Sequence, residues 1–406
     1  MKVLLVCVKL NGGGAERVGV LMANSLADRG HQVSIVSNLY EPVIYDVDKR
    51  ISIHSMNPNT TNEYKKWSAA IINIRKEIRR EKPDIIVGIM YLCSLAAKIA
   101  SIGTGIPVVM TEHNSFERPE SAPFKKKDLF FKFKVNKIYD YVTVLTEADK
   151  KIIGNRLKRV EVMPNPLLLK PYYEEHHREK RLIAAGRVDA WHYKGFDILV
   201  KAWNQIYHKY PEWRLEIAGL CDRPRNYLRI VNLIQDFKIE ERTKLLGYRT
   251  DVEQLYRDSE IFVLSSRYEG FGLVLIEAMS QGCAPIACDY KGRQKEILKE
   301  TNQLETHPSP PCLGREPNSA ESSIKNSSLN REDFQKAGIE ICENGILCEP
   351  ENVEALAQAM DKMISDEDYR RKVQQNAVKR TEFYNLERTG ERWEKFLEKV
   401  IKLKHS

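Results

Sequence analysis

A chain of 406 residues is too long for one ordinary domain and suits two, since single domains run at about 100–200 residues. With 42% apolar and 30% charged residues, global disorder is excluded and two buried cores are within reach. The net charge of +8 is uneven: residues 1–166 carry 26 basic and 17 acidic side chains, the remaining 240 carry 38 and 39, so the first half is the one that faces something anionic.

The first apolar run, Val3–Val8, is followed by Lys9 and a glycine-rich turn. It is too short and wrongly flanked for a signal peptide and reads as a buried strand. Ala15–Arg29 places Val18, Leu21, Met22 and Leu26 at helical spacing; Gln32–Ser37 reads as a strand, and a helix follows that ends near Arg80. The stretch 85–110 has one charge, Lys98, but Gly88, Gly103, Gly105 and Pro107 divide it into strand, helix and strand, which disfavours a membrane span. Ile85–Ile89, Val108–Thr111 and Tyr141–Leu145 continue a βαβ rhythm, and Pro164-Asn165-Pro166 marks a hinge. The rhythm restarts with strands at Leu182–Ala185, Arg214–Ala218, Lys244–Leu246, Ile261–Leu264 and Ala284–Ala287, separated by helices near 195–209, 224–237, 251–257 and 272–281. Residues 301–342, with Pro308-Ser309-Pro310-Pro311 and a Ser/Asn-rich run, read as a flexible surface insertion. Helices near 353–363, 367–380 and 387–403 close the chain.

The expected fold is therefore α/β: two Rossmann-like, doubly wound parallel-sheet domains facing across a cleft, with ligands at the carboxyl ends of the strands. The expected domains are 1–165, completed by the C-terminal helix 381–406, and 166–380. Eight cysteines form no C-x-x-C pair, so neither a disulfide scaffold nor a zinc site is expected, and a cytosolic, reducing compartment is.

Three segments carry candidate chemistry. Asn11-Gly12-Gly13-Gly14-Ala15-Glu16-Arg17 lies between the first strand and the first helix, where backbone N–H groups approach an anion, or where a tight turn alone is needed. It does not match the dinucleotide fingerprint G-x-G-x-x-G. Gly186-Arg187-Val188-Asp189-Ala190-Trp191-His192-Tyr193-Lys194-Gly195 follows the first strand of the second half. Arg187 and Lys194 there offer two cations to a diphosphate, or are simply solvated. Glu269-Gly270-Phe271-Gly272-Leu273-Val274-Leu275-Ile276-Glu277 sets two carboxylates eight apart around a helix start. Either is a plain surface or capping residue, or Glu277 beside the apolar stripe accepts hydrogen bonds from paired hydroxyls.

Taken together, these segments resemble the retaining glycosyltransferases of family 4, which have the GT-B fold. Thr111-Glu112-His113-Asn114, Met163-Pro164-Asn165-Pro166, Leu245-Leu246-Gly247-Tyr248 and Glu343-Asn344-Gly345-Ile346-Leu347 add to the likeness, which covers nearly all of the chain except 301–342. The pattern looks most like enzymes of surface polysaccharides, O-antigens or lipid-linked oligosaccharides. The resemblance implies a donor site formed by Gly13, Gly14, Arg187, Lys194, Tyr248, Glu269, Phe271, Gly272, Leu273 and Glu277, with Glu277 on the ribose. It implies catalytic roles for Glu269, His113, Arg187 and Lys194, no metal and no cofactor. The donor would be a nucleotide-diphosphate sugar, a UDP-linked hexose or N-acetylhexosamine, and the acceptor a glycan or polyprenyl-diphosphate-linked saccharide. The bulky Trp191-His192-Tyr193 between Arg187 and Lys194 departs from the family pattern. Asp46-Val47-Asp48 superficially matches a metal-binding D-x-D but sits in a polar turn and reads as surface.

Two basic segments in the first half bear on the acceptor. Residues 124–134, Phe-Lys-Lys-Lys-Asp-Leu-Phe-Phe-Lys-Phe-Lys, interleave aromatics and cations; residues 65–82 surround an Ile71/Ile74/Ile78 stripe with basic side chains. The first points to an anionic membrane surface or a lipid diphosphate. The second is read as an ordinary core-facing helix with a solvated basic face, ahead of membrane docking. Nucleic acid is disfavoured because the second half is not basic. The expected location is cytoplasmic, peripheral on the inner face of the cell membrane. The alternatives are a nucleotide-sugar 2-epimerase and a non-catalytic nucleotide-sugar-binding partner.

Overall fold

A computed structural model describes residues 1–56, 63–119, 123–174, 177–221, 224–299 and 331–405. The chain divides into two compact units, Met1–Leu168 with Phe383–Ser406, and Leu169–Glu382.

The first unit is built on strands β1 (Lys2–Lys9), β2 (Gln32–Asn38), β3 (Ser52–Ser55), β4 (Ile85–Ile89), β5 (Val108–Thr111), β6 (Tyr141–Val144) and β7 (Val160–Val162). They form one sheet in the order β3-β2-β1-β4-β5-β6-β7, with every pair parallel. Alternate residues of β1 enter different layers. Leu5 and Cys7 pack with the first helix and with Trp393, Phe396 and Leu397 of the C-terminal helix, while Leu4 and Val6 meet Ile74, Ile78 and Cys93. Burial on both faces is why these strands read as nearly continuous apolar runs. The C-terminal helix Leu386–His405 is pinned to the first helix and its flank. Glu394 pairs with Arg29 (3.2 Å) and His31 (2.7 Å), and a Cβ on Gly390 would come within 1.9 Å of Ser25 Oγ.

The second unit uses β8 (Glu179–Ala185), β9 (Arg214–Ala218), β10 (Thr243–Gly247), β11 (Ser259–Leu264), β12 (Ala284–Cys288), β13 (Ile339–Cys342) and β14 (Gly345–Cys348). Their order is β10-β9-β8-β11-β12-β14-β13, and only β13 runs antiparallel to its neighbour. In both units the winding reverses beside the first strand, at β1/β4 and β8/β11. Such switch points leave a crevice at the strands' carboxyl ends.

The structure departs from the sequence reading in several places, among them the buried strand β14, which was not expected. Strands β3 and β7 were not expected. Both are short edge strands with half-exposed residues, so neither shows a buried run. The insertion expected over 301–342 lies in part outside the described residues, but its last stretch is ordered: Arg331–Lys336 is helical and β13 pairs with β14 across the turn Glu343-Asn344. The alternation of Ile339 and Ile341 was hidden by the polar composition upstream. Lys132, expected among surface cations, is buried against Glu112 at 2.7 Å. In the helix Glu63–Glu81, Ile74 and Ile78 face the core, and Arg75 caps the carbonyls of Ala100 and Ile102 (2.8 and 2.9 Å). That stripe is therefore core packing and not a membrane face.

The seven described cysteines are free thiols. Burial pushes those of Cys7, Cys283 and Cys288 up to about 12, as fits inert core residues. No described helix is long and apolar enough to cross a membrane.

Candidate functional site

Gly186 and Arg187 leave the carboxyl end of β8, and Ser265 and Ser266 leave that of β11, at the switch point of the second unit. The short helix Trp191–Lys194 ends on Gly195, whose φ of 65° is left-handed. A Cβ there would lie 1.9 Å from the Ser265 carbonyl oxygen, so glycine is needed for the two loops to touch. The contact is sealed by Ser265 Oγ donating to the Lys194 carbonyl at 2.9 Å. It brings the Lys194 ammonium to Glu269 Oε1 at 2.7 Å, an oxygen that also accepts from Ser266 Oγ at 2.8 Å. The stem of Lys194 runs along Gly186, where a Cβ would stand 3.2 Å from its Cε. The cation thus lies at the base of the loop that carries Arg187.

Arg187 forms a two-point pair with the buried carboxylate of Asp189, at 3.2 and 2.8 Å, while 56% of its side chain stays accessible. Arg267 ties the loops to their supports. Its guanidinium donates to both oxygens of Asp197 (2.7 and 2.9 Å), to the His192 carbonyl (2.6 Å) and to Glu351 (2.8 Å). Ser265, Ser266, Arg267 and Asp189 were not singled out from sequence, although 265–267 directly follow an apolar strand, where such loops begin.

Gly272, with φ of 97°, precedes the helix Leu273–Ser280. Phe271 is buried, Leu273 is half-buried, and Glu277 on the second turn is only 7% exposed. A carboxylate held at that depth must be met by donors or cations. Tyr248 stands apart. It lies just beyond β10, an edge strand separated from β8 by β9, and is 70% exposed. The structure therefore brings Lys194, Glu269 and the Arg187 loop together, places Phe271, Gly272, Leu273 and Glu277 on the adjoining segment, and leaves Tyr248 at the sheet's edge.

In the first unit, Gly13 has φ of 105° and caps the helix Gly14–Asp28. A Cβ would meet Glu16 Oε2 at 2.3 Å, and Tyr45 donates to the Gly13 carbonyl at 2.8 Å. His113 follows β5, with Nε2 3.2 Å from Thr111 Oγ1 and Nδ1 buried without a hydrogen-bond partner among the described residues. Burial holds its pKa down from 6.5 to about 4, against a smaller upward pull from Asn165. The imidazole is neutral at physiological pH. The unfolded chain takes up this proton near 6.5 and the native one only near 4, so the residue's contribution to stability is full above 6.5 and lost as pH falls between the two. The His113 ring resonances are expected not to titrate between pH 8 and 5.5 in an NMR titration; a midpoint above 6 would show the ring to be solvated.

Asp46-Val47-Asp48 is a surface turn: hydrogen bonds from Arg50 hold the Asp48 carboxyl down to about 2, and the Asp46 carbonyl accepts from Asn24 at 2.7 Å. His54, Glu77 and Glu81 bring three ligand-type atoms within 4.8 Å of one another. Arg80 lies among them, 2.7 Å from Glu77, 2.8 Å from Glu81 and 2.9 Å from His54 Nδ1, so these groups form an ion-pair cluster.

Residues 12–169 match the family model Glycosyltransferase Family 4, and residues 170–309 the model for glycosyl transferases group 1. The chain belongs to the family 4 glycosyltransferases. An uncharacterised glycosyltransferase of Haemophilus influenzae is 25% identical, with 95% of this chain and 97% of that one covered. A Campylobacter jejuni α-1,4-N-acetyl-D-galactosaminyltransferase, named for an undecaprenol-diphosphate-linked substrate, is 23% identical over 98% of this chain and 99% of its own. Among solved structures, the sucrose-phosphate synthase of Thermosynechococcus elongatus superposes with a TM-score of 0.76 at 17% identity, covering 99% of each chain. Anabaena HepE in complex with UDP and glucose gives 0.71 at 17% identity, covering 98% of this chain and 100% of that one. The fold of this family 4 glycosyltransferase is GT-B, as its sequence led us to expect.

Proposed function

We propose that this glycosyltransferase moves a hexose or N-acetylhexosamine, with retention, from a UDP-linked donor to a lipid-linked or growing glycan in polysaccharide biosynthesis. The observation that carries this reading is the contact of Lys194 with Glu269 beside the Arg187 loop, at the switch point of the second unit. Two cations at one strand end suit a diphosphate leaving group, whose developing charge they stabilise, and no metal is given a role. Glu277, buried on the next helix, takes the ribose hydroxyls. Glu269 is already engaged by a cation and a hydroxyl, which suits a group that steadies positive charge on the sugar better than a nucleophile. Neutral His113 is a hydrogen-bonding group for the donor sugar or acceptor. In a front-face transfer the diphosphate oxygen takes the acceptor's proton. The Campylobacter relative, named with an undecaprenol-linked substrate, and the Anabaena structure, named with UDP, support the reading of a lipid-linked acceptor and a UDP-linked donor.

A thermal-shift screen of nucleotide sugars followed by product analysis tests this function. Free UDP and a lengthened glycan are expected. A changed sugar still attached to UDP would make the protein an epimerase, and binding without turnover a non-catalytic partner.

The first unit also suits peripheral attachment to an anionic membrane on the cytoplasmic side. Around the helix Lys126–Phe133, the side chains of Lys125, Lys126, Lys127 and Leu129 are exposed, and Phe130 is 57% exposed. At about 1 kcal/mol per basic residue, replacing the three lysines with glutamine should weaken co-sedimentation with phosphatidylglycerol vesicles by roughly 100-fold at low salt. Undiminished binding would remove this role.

A further inference from the structure

Beside the carboxyl end of β5 lies a cavity of about 130 Å³ whose lining includes Tyr91, Glu112, Phe131, Lys132 and Asn136. Glu112 is the first residue beyond β5 and the neighbour of His113 in the chain, so the cavity belongs to the same strand end.

Its polar groups are in unequal states. Glu112 is fully engaged: one oxygen accepts from Lys132 Nζ at 2.7 Å and the other from the Asn114 N–H at 3.0 Å. The Lys132 ammonium also rests 4.3 Å from the centroid of the Phe116 ring. Asp128 accepts from the Lys125 N–H at 3.2 Å, and the Arg118 guanidinium lies 4.8 Å from the centroid of the Phe124 ring. Two acids and two bases thus line the cavity and cancel, so it offers a phosphate no net attraction. Asn136 is different. It is 3% exposed, and neither its carboxamide oxygen nor its nitrogen has a hydrogen-bond partner among the described residues. An amide in this state is costly unless something supplies both an acceptor and a donor. The lining also carries two aromatic rings, Tyr91 and Phe131, whose centroids lie 5.0 Å apart at an interplanar angle of 43°.

Aromatic rings and an unanswered amide lining one charge-balanced cavity are the chemistry that holds a sugar ring. Its C–H face packs on the rings, and adjacent hydroxyls, or an acetamide, give and accept at once. We infer that this cavity binds one neutral pyranose unit of the acceptor, with Asn136 as the residue that selects it. The inference rests on the glycosyltransferase reading and deepens it: the acceptor is held here by a saccharide unit and not by its phosphate.

The test is saturation-transfer NMR on the full chain with methyl α-glucopyranoside and methyl N-acetyl-β-glucosaminide, each with and without saturating UDP. Transfer to at least one glycoside is expected; it should persist with UDP and with excess inorganic pyrophosphate. Asn136→Leu and Tyr91→Ala should each weaken it at least tenfold, with the melting temperature of Asn136→Leu unchanged or raised. Absence of transfer, loss on adding UDP, displacement by pyrophosphate, or full retention in both variants would overturn the inference. The donor reading is judged separately, by whether UDP itself raises the melting temperature of the unaltered protein.

Discussion

Glu277→Ala is expected to lower donor affinity by about 100-fold, since the proposed contact of this buried carboxylate with two ribose hydroxyls would lose hydrogen bonds to a charged group worth about 1.5–3 kcal/mol each. Arg187→Ala should act on turnover as well. Removing a donor aimed at charge that develops in the transition state costs on the order of 10²–10³-fold in kcat. The two variants separate binding from chemistry. Isothermal calorimetry with UDP and with the nucleotide sugar reads the first, and single-turnover release of UDP reads the second. Calorimetric affinity unchanged in both variants would sink the site assignment. Arg187 is supported by Asp189, at 3.2 and 2.8 Å, so Asp189→Asn is a useful intermediate. It keeps the cation and loosens its aim, and should fall between Arg187→Ala and the unaltered enzyme.

The second large effect is on stability. Lys132→Ala should destabilise the first unit by about 3–5 kcal/mol, the usual cost of removing one partner from a buried ion pair. Both members are nearly inaccessible, with side-chain exposures of 9% for Lys132 and 4% for Glu112. The carboxylate left behind would keep only the Asn114 N–H. The double variant Glu112→Gln/Lys132→Met removes both charges and should recover most of the loss in urea unfolding. A single-variant cost below about 1 kcal/mol would mean that water reaches the pair and that the site is wetter than its burial indicates.

The strands of both sheets' centres were legible because a strand buried on both faces must be apolar throughout, as in Ile85–Ile89 and Ala284–Cys288. The edge strands β3 and β7 escaped because they are short and half-exposed, and β13 with the buried four-residue β14 beside it was masked by the polar stretch before them. The glycine loops were legible as turns, but Gly195 shows what was not: its need for glycine comes from the Ser265 carbonyl, 70 positions away in the chain. The same holds for the salt bridge of Lys194 with Glu269 and for Arg267, whose partners come from three segments.

The opening charge asymmetry is a property of composition, and no fold could alter its sign. Alternation of apolar runs and helical periods likewise determined two doubly wound halves, because local hydrophobic pattern and the rules of parallel sheets act within tens of residues. Which cations remain available was a tertiary matter. Lys125, Lys126 and Lys127 are exposed, whereas Lys132, five residues on from Lys127, turns inward on the same helix to meet a carboxylate from the end of β5. A helix places neighbours on different faces, and only the packing of the sheet against it decided which face would be buried.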